Sequence, residues 1–230
     1  MSIALVTGAS RGIGRAIAER LAERYEVVAV ARSAKRLEDV ARSIESRGGR
    51  CRTIALDVSD HAAVSSALAS LDVDVLVNNA GLGIIKPIAE MSVDEWRRQV
   101  SVNLDGMFYV TRALLPGMIA RQRGYIVNIG SLAGRNSFVG GACYSATKHA
   151  VIGFSESLML EVREAGVRVT VIMPGSVDTD FGGHTAGNAA WKLTAADVAE
   201  SVWFVVSQPD RALVSRVEMR PARVTQTPRK

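Results

Sequence analysis

The chain has 230 residues, of which 48% are hydrophobic and 22% are charged, a mixture typical of a soluble globular protein. No segment approaches the roughly 18 uninterrupted apolar residues of a membrane span, so we expect no membrane contact. The net charge is +5, but the basic residues are scattered rather than run together, which argues against a nucleic-acid partner.

The first ten residues, MSIALVTGAS, enter an apolar run at once and have no basic region before it, unlike a signal peptide. Cys51 and Cys143 are far apart in the sequence and match no metal-ligand spacing. His61, His149 and His184 form no ligand cluster either. We therefore expect a cytoplasmic protein without a metal site.

Short β-branched runs alternate with longer segments of helical period along the chain. The candidate strands are residues 3–7, 26–31, 51–57, 73–78, 125–131, 167–173 and 213–219. Most are almost continuously apolar, as parallel strands covered on both faces are. The alternation predicts an α/β protein: one doubly wound Rossmann-type domain over 1–230, with a parallel seven-stranded sheet and helices on both faces.

The first turn reads TGASRGIG, with glycines at positions 8, 12 and 14, and lies between a strand and a helix. Glycine permits a tight turn and lets a pyrophosphate approach the backbone, while the helix amino terminus offers free N–H groups. The spacing differs from the more familiar G-x-G-x-x-G. Because the turn directly follows the first strand, it predicts a dinucleotide site.

The end of the second strand indicates which dinucleotide binds. NAD sites usually carry an acidic residue there, but residues 31–34 contain none. Arg32 stands 20 residues after Gly12 and is followed by Ser33, and Arg11 lies within the glycine turn. Two guanidinium groups can clamp a 2′-phosphate, so we predict NADP(H); the alternative is two surface arginines on a basic protein.

Seven short motifs follow one another along the chain. They are TGASRGIG, DV at 57–58, NNAG at 78–81, VNLDG around Asn103, IGS ending at Ser131, YSATK at 144–148 and PGSVDT at 174–179. Together they resemble the short-chain dehydrogenase/reductase family over about residues 3–180. The resemblance implies an NADP(H)-dependent oxidoreductase whose catalytic tetrad is Asn103, Ser131, Tyr144 and Lys148.

The predicted cofactor site combines the glycine turn, the arginines and the residues that the resemblance adds. It consists of Gly8, Ser10, Arg11, Gly12, Ile13, Gly14, Arg32, Ser33, Asp57, Val58, Asn79, Ala80, Gly81, Tyr144, Lys148, Pro174, Gly175, Val177 and Thr179. By the resemblance, the residues at 57–58 border the adenine and those at 79–81 lie along the riboses. Those at 174–179 flank the nicotinamide.

The chemistry of carbonyl reduction fits the tetrad, because it moves a hydride to carbon and a proton to oxygen. Tyr144 would be the general acid/base. Lowering a tyrosine pKa from about 10 to about 7 takes about 4 kcal/mol. Lys148 lies one helical turn away, and an ammonium at about 4 Å gives an interaction of that order at an effective dielectric near 20. Ser131 could donate to the substrate oxygen, and Asn103 could hold a relay water.

The segment at about 180–192 is short and rich in Gly and Ala, and in this family it forms a lid over the substrate. Phe181 and Trp191 are its only large apolar residues. A basic tail at 220–230 follows the last predicted strand and contains Arg220, Arg223, Arg229 and Lys230. We expect a small polar or anionic carbonyl compound, or the matching 3-hydroxy acid, as substrate. Alternatives are a 3-oxoacyl-thioester substrate on an acyl carrier and a non-catalytic dinucleotide-binding regulator.

Two long helices are predicted at 92–121 and 144–165, and they carry more apolar residues than one sheet can cover. Members of the resembled family pair through these two helices. We therefore expect a homo-oligomer, a tetramer or a dimer.

Overall fold

The computed structural model describes residues 2–183, 187 and 190–223. The strands are β1 Ile3–Thr7, β2 Glu26–Ala31, β3 Arg50–Ala55, β4 Val75–Asn78, β5 Gly124–Ile129, β6 Val167–Pro174 and β7 Arg216–Met219. The α-helices are α1 Gly12–Leu21, α2 Ala34–Glu45, α3 His61–Leu68, α4 Val93–Val100, α5 Gly106–Ala120, α6 Ala142–Val162 and α7 Ala195–Val206.

All seven strands pair in parallel in one sheet of order β3-β2-β1-β4-β5-β6-β7. The predicted parallel seven-stranded sheet is confirmed. The strand order reverses between β1 and β4, where Val6 lies opposite Val77. Ligands of doubly wound sheets bind beyond the carboxyl ends of the strands at such a reversal, so the topology indicates where a site should lie.

Two apolar cores cover the two faces of the sheet. On one face, α1, α2 and α7 bury side chains such as Ile17, Leu37 and Val202. On the other face, α3, α5 and α6 bury side chains that include Leu114 and Leu158. The near-continuous apolar strands follow from this arrangement, because each central strand is covered on both sides.

Several predicted element ends differ from the structure. The strands predicted at 51–57 and 125–131 end two residues early, so that Asp57 and Ser131 lie in the loops beyond β3 and β5. The last strand is β7, shorter than the predicted 213–219. The residues lost from the first two strands leave the sheet at its carboxyl edge, whereas the last strand is shortened at its amino end.

The helix predicted at 92–121 is interrupted. A π-helical turn, Ser101–Asp105, separates α4 from α5, and Asn103 lies within it. The second predicted helix, 144–165, is α6 followed by a short 3-10 turn at Arg163–Ala165. A π turn inserts one extra residue into a helix, and such turns are frequent at functional sites.

A buried polar chain joins the two central strands to the helices behind them. Asn78 Nδ2 donates to Asn128 Oδ1 at 2.9 Å and to Thr111 Oγ1 at 3.0 Å. Asn128 Nδ2 donates to Ser155 Oγ at 2.8 Å. The chain therefore connects β4 and β5 to α5 and α6 through atoms that water does not reach.

We expect Asn128→Ala to lower the free energy of unfolding by about 2 kcal/mol, because it leaves buried groups on both sides without partners. Urea denaturation followed by circular dichroism measures this change. A loss smaller than about 0.5 kcal/mol would contradict the assigned role of the chain of hydrogen bonds.

Candidate functional site

A cavity of about 380 Å³ lies beyond the carboxyl ends of β1, β2, β4, β5 and β6, within the about 300–1,000 Å³ usual for ligand sites. All nineteen residues that the sequence predicts around the cofactor line it. Ser131 lines it as well, whereas Asn103 does not. The structure thus brings the glycine turn and three of the four predicted catalytic residues into one cleft.

The glycine turn closes against the neighbouring strand end. Gly8 and Gly12 have φ angles of +67° and +54°, in the left-handed region that favours glycine. A Cβ at Gly14 would lie 2.3 Å from the carbonyl oxygen of Gly8 and 2.4 Å from Asn79 Nδ2. No side chain caps the amino terminus of α1, which follows Arg11, so its first N–H groups can face a phosphate.

Asn79 holds this turn in place. Its Nδ2 donates to the backbone oxygens of Thr7 and Gly8, at 3.0 and 3.4 Å. Its backbone N–H donates to Thr7 Oγ1 at 3.0 Å. The side chain expected along the ribose therefore also fixes the distance between the ends of β1 and β4.

The far end of the cavity is basic. Arg32 follows β2, and its guanidinium lies 3.9 Å from a carboxylate oxygen of Asp57. Ser33 caps α2, its hydroxyl accepting the N–H of Arg36 at 3.4 Å. Arg36, in the first turn of α2, also lines the cavity and was not among the predicted cofactor residues. The sequence carried a signal for it, because it is a second arginine shortly after the end of β2.

Asp57 remains ionised at neutral pH in this surrounding. Burial acts to raise the pKa of its carboxyl, but hydrogen bonds from the Ser59 hydroxyl and N–H, together with the charge of Arg32, hold the pKa below its usual value. The Ser59 hydroxyl donates at 2.7 Å and the N–H at 3.0 Å. Asp57 therefore acts as a fixed acceptor beside the arginine.

Tyr144 and Lys148 lie one turn apart on α6, as their spacing predicts. Lys148 is buried, with its Nζ donating to the carbonyl oxygen of Ile129 at 2.9 Å and lying 5.8 Å from the centre of the Tyr144 ring. Burial lowers the pKa of Lys148 to about 8. The Ser131 hydroxyl accepts the N–H of Ala133 at 3.1 Å, which fixes its oxygen at the start of a 3-10 turn.

The prediction that Lys148 lowers the pKa of Tyr144 is wrong for this structure. Burial raises the pKa of the Tyr144 hydroxyl, and a hydrogen bond with Ser131 opposes that rise only in part. Lys148 is directed at Ile129, and burial disfavours its own charge. Tyr144 is therefore protonated at neutral pH and fits the role of proton donor.

Asn103 is buried, and both polar atoms of its side chain form hydrogen bonds. Oδ1 accepts the N–H of Leu82 at 2.8 Å, and Nδ2 donates to the Leu82 carbonyl at 2.9 Å and to Thr147 Oγ1 at 3.1 Å. Thr147 in turn donates to the carbonyl of Tyr144 at 2.8 Å. The amide thus links the loop after NNAG to the helix that carries Tyr144, and a relay water would have to use the backbone of the π turn.

Phe181 lies over the catalytic end of the cavity. Its ring centre is 5.7 Å from that of Tyr144, and the rings are tilted by 54°. Trp191, the other aromatic residue predicted to close the lid, does not line the cavity. Much of the predicted lid (184–186, 188 and 189) lies outside the described residues, as do Arg229 and Lys230 of the tail.

Comparison with known proteins identifies the family. The family model for short chain dehydrogenases matches residues 2–189. The chain belongs to the short-chain dehydrogenase/reductase family. The NADP-dependent 3-hydroxy acid dehydrogenase YdfG of Salmonella typhi is 40% identical over an alignment 244 positions long, which spans 98% of this chain and 96% of the relative.

Two further proteins resemble this short-chain dehydrogenase/reductase over nearly its full length. The serine 3-dehydrogenase of Agrobacterium fabrum is 36% identical over 94% of this chain and 92% of its own length. The closed form of a serine dehydrogenase complexed with NADP+ superposes with a TM-score of 0.88 at 37% identity, over 94% of each chain.

Neither a metal site nor a membrane-spanning helix is found in the part of this short-chain dehydrogenase/reductase that the structure describes. Within residues 2–183, 187 and 190–223, no three His, Cys, Asp or Glu side chains are grouped so that they could hold a metal ion. None of the described helices has the length and apolar character that crossing a membrane requires.

Proposed function

We propose that the protein is an NADP(H)-dependent oxidoreductase that interconverts a small carbonyl compound and the matching 3-hydroxy acid. The observation that carries the proposal is the single cavity that joins the glycine turn and Arg32 to Ser131, Tyr144 and Lys148. The relatives named as 3-hydroxy acid and serine dehydrogenases support the substrate class.

The residues around the cavity suit the cofactor. The absence of a side chain at Gly14 lets the start of α1 pack against Gly8 and Asn79, and no side chain caps this helix end, so a pyrophosphate can approach its N–H groups. Arg32 and Arg36 line the end at which a 2′-phosphate would lie, and residues 31–34 contain no carboxylate that would repel it. Arg11 also lines the cavity, with its guanidinium 4.0 Å from the Asp180 carboxylate. When bound, NADP(H) supplies or accepts the hydride.

Residues of this chain, and not the cofactor, carry out the proton transfer. Tyr144, protonated at neutral pH, donates its hydroxyl proton to the substrate oxygen during reduction. The Ser131 hydroxyl donates a hydrogen bond to the same oxygen as negative charge develops there. Lys148 stays largely protonated near pH 7, and its ammonium would hold the ribose hydroxyls of the cofactor.

The space at Tyr144 favours a small substrate. Phe181 packs against the tyrosine ring and narrows the cavity at the reacting end. Pro221 lies 3.2 Å from where a Cβ on Gly175 would stand, so the start of the basic tail lies beside a cavity residue. Arg220 is paired with Glu218 at 3.2 Å, and a substrate carboxylate would have to compete for it.

We also propose that the protein is a homo-oligomer, a tetramer or a dimer, and acts in the cytoplasm. Apolar residues such as Leu114 on α5 and Leu158 on α6 are buried against their own sheet, but Phe108 and Leu160 stay 45% and 58% exposed. These two side chains are available to a second copy.

We expect Tyr144→Phe to abolish turnover of L-serine and 3-hydroxybutyrate with NADP+, while the dissociation constant for NADPH stays within about threefold, because only the reacting proton is lost. Absorbance at the NADPH band measures turnover, and fluorescence titration measures binding. With NADPH, the wild type should reduce the 3-oxo acid that matches 3-hydroxybutyrate at a higher kcat/KM than an acyl-carrier 3-oxoacyl thioester. A higher kcat/KM for the thioester would refute the substrate class, and near-normal turnover by the variant would assign the proton transfer elsewhere.

We expect Arg32→Gln to raise the KM for NADPH by about 10- to 100-fold and to leave the KM for NADH nearly unchanged, because a charged hydrogen bond to the 2′-phosphate is lost. Steady-state kinetics with each cofactor measures this preference. Arg50→Gln, an exposed arginine at the start of β3 that does not line the cavity, is the matched control. Equal effects on both cofactors would remove Arg32 from 2′-phosphate recognition.

We expect NADPH to bind more weakly as the pH rises from 7 to 9, because Lys148 loses its proton near a pKa of about 8. Fluorescence titration across this range gives the profile. Lys148→Met should bind weakly at every pH and lack the break. A wild-type affinity that is constant to pH 9 would show that the charge of Lys148 does not contribute to binding.

A further inference from the structure

Gln99 is a buried amide at a position on α4 that faces the interior of the protein. Its side chain is 0% exposed, and Oε1 accepts the backbone N–H of Ile84 at 2.5 Å. Nε2 has no hydrogen-bond partner by distance and angle among the described residues, but the Gln99 side chain also lies beside the buried thiol of Cys143 and opposes the rise that burial causes in the pKa of that thiol. Burying an amide is costly unless it makes the hydrogen bonds it needs, and the bond that Oε1 accepts from Ile84 is the one it makes with the backbone of the loop.

Ile84 belongs to the loop that follows the NNAG turn, residues 81–86, called here the entrance loop. Two more side chains from the same face hold this loop on either side of Ile84. Asn103 binds both backbone groups of Leu82. Glu95 accepts from Lys86 Nζ at 2.9 and 3.2 Å.

The spacing of these three contacts is regular on both partners. Glu95 and Gln99 lie on α4 and Asn103 lies in the π turn after it, each four residues from the next, and their loop partners are residues 86, 84 and 82, two apart. Four residues of α-helix rise about 6 Å, and two residues of chain reach at most about 7 Å. The α4 helix and the π turn can therefore hold every second residue of the loop.

The intervening residues Gly83 and Ile85 make other contacts, and Gly83 lies against the aromatic ring beside Tyr144. A Cβ at Gly83 would lie 2.6 Å from the ring of Phe181, and that ring packs against Tyr144. The Ile85 side chain lies 3.6 Å from where a Cβ on Gly140 would stand. A slip of the loop by one residue would put a side chain where Gly83 now lies and drive it into Phe181.

We propose that Gln99 is a positioning residue that sets the register of the entrance loop and thereby the wall beside Tyr144. The inference rests on the proposed function for its kinetic test. It assigns Gln99 an effect on the carbonyl or hydroxy-acid substrate and not on NADP(H), because the cavity-lining residue Leu82 is held independently by Asn103.

Two substitutions of similar size separate positioning from packing. Gln99→Met removes the acceptor, whereas Gln99→Glu keeps an oxygen at the position of Oε1. We expect Gln99→Met to lower kcat/KM for 3-hydroxybutyrate about tenfold, with the dissociation constant for NADPH changed less than about twofold. Gln99→Glu should stay within about threefold of the wild type. A packing role reverses this order, because an apolar side chain suits a buried site better than a carboxyl.

Hydrogen exchange measured by mass spectrometry on the peptide that covers the entrance loop gives a readout without turnover. Gln99→Met should speed exchange in this peptide and Gln99→Glu should not, while peptides from the rest of the sheet stay unchanged. If the wild type oxidises neither L-serine nor 3-hydroxybutyrate, the proposed function fails and the exchange data alone decide the role of Gln99.

Two outcomes would overturn the inference. The first is that the entrance loop of Gln99→Met exchanges hydrogen at the wild-type rate and that, provided the wild type turns over, this variant also has the wild-type kcat/KM. The other is a loss of NADPH affinity in Gln99→Met as large as the loss of kcat/KM. Thermal melts of both variants identify the temperature below which each is folded, and the measurements are made there.

Discussion

The hydroxyl of Thr7 is the interaction on which the site depends. Thr7 Oγ1 accepts the backbone N–H groups of both Asn79 and Ala80 at 3.0 Å and donates to the carbonyl of Val77 at 3.3 Å. One buried oxygen thus joins the ends of β1 and β4 at the reversal of strand order. The glycine turn and the NNAG turn are the two sides of the cleft, so their separation is set by this contact and by the absence of a side chain at Gly14.

Burial and charge oppose each other at the end of the cleft that holds Tyr144 and Lys148. Lys148 reaches the cleft from α6 only by passing through apolar surroundings, and desolvation lowers its pKa to about 8. Its hydrogen bond to Ile129 supplies a partner for the ammonium. The same burial raises the pKa of Tyr144 and keeps the proton that reduction consumes. A negatively charged cofactor beside Lys148 would favour its charged form, so binding and proton transfer are coupled through one lysine.

The interrupted helix α4–α5 carries a second constraint. The π turn directs Asn103 at Leu82, and the helix before it places Gln99 at Ile84. The loop that borders the substrate therefore takes its position from a helix and not from the sheet. Thr147 extends the connection to α6, because it accepts from Asn103 and donates to the Tyr144 carbonyl. Separate hydrogen bonds therefore hold the glycine turn, the loop after NNAG and the helix that carries Tyr144. Asn103 connects the last two of these, through Leu82 and Thr147.

The sequence by itself determined the α/β class, the parallel sheet, the glycine turn and the family, because apolar period, turn residues and motif spacing are local properties of the chain. It placed Tyr144 and Lys148 on one helical face for the same reason. Only the tertiary structure decided the pKa directions, since burial depends on what packs around a group. The π turn and the hydrogen bond between Gln99 and Ile84 could not be predicted from the sequence either. The two residues meet only when a loop folds back along a helix.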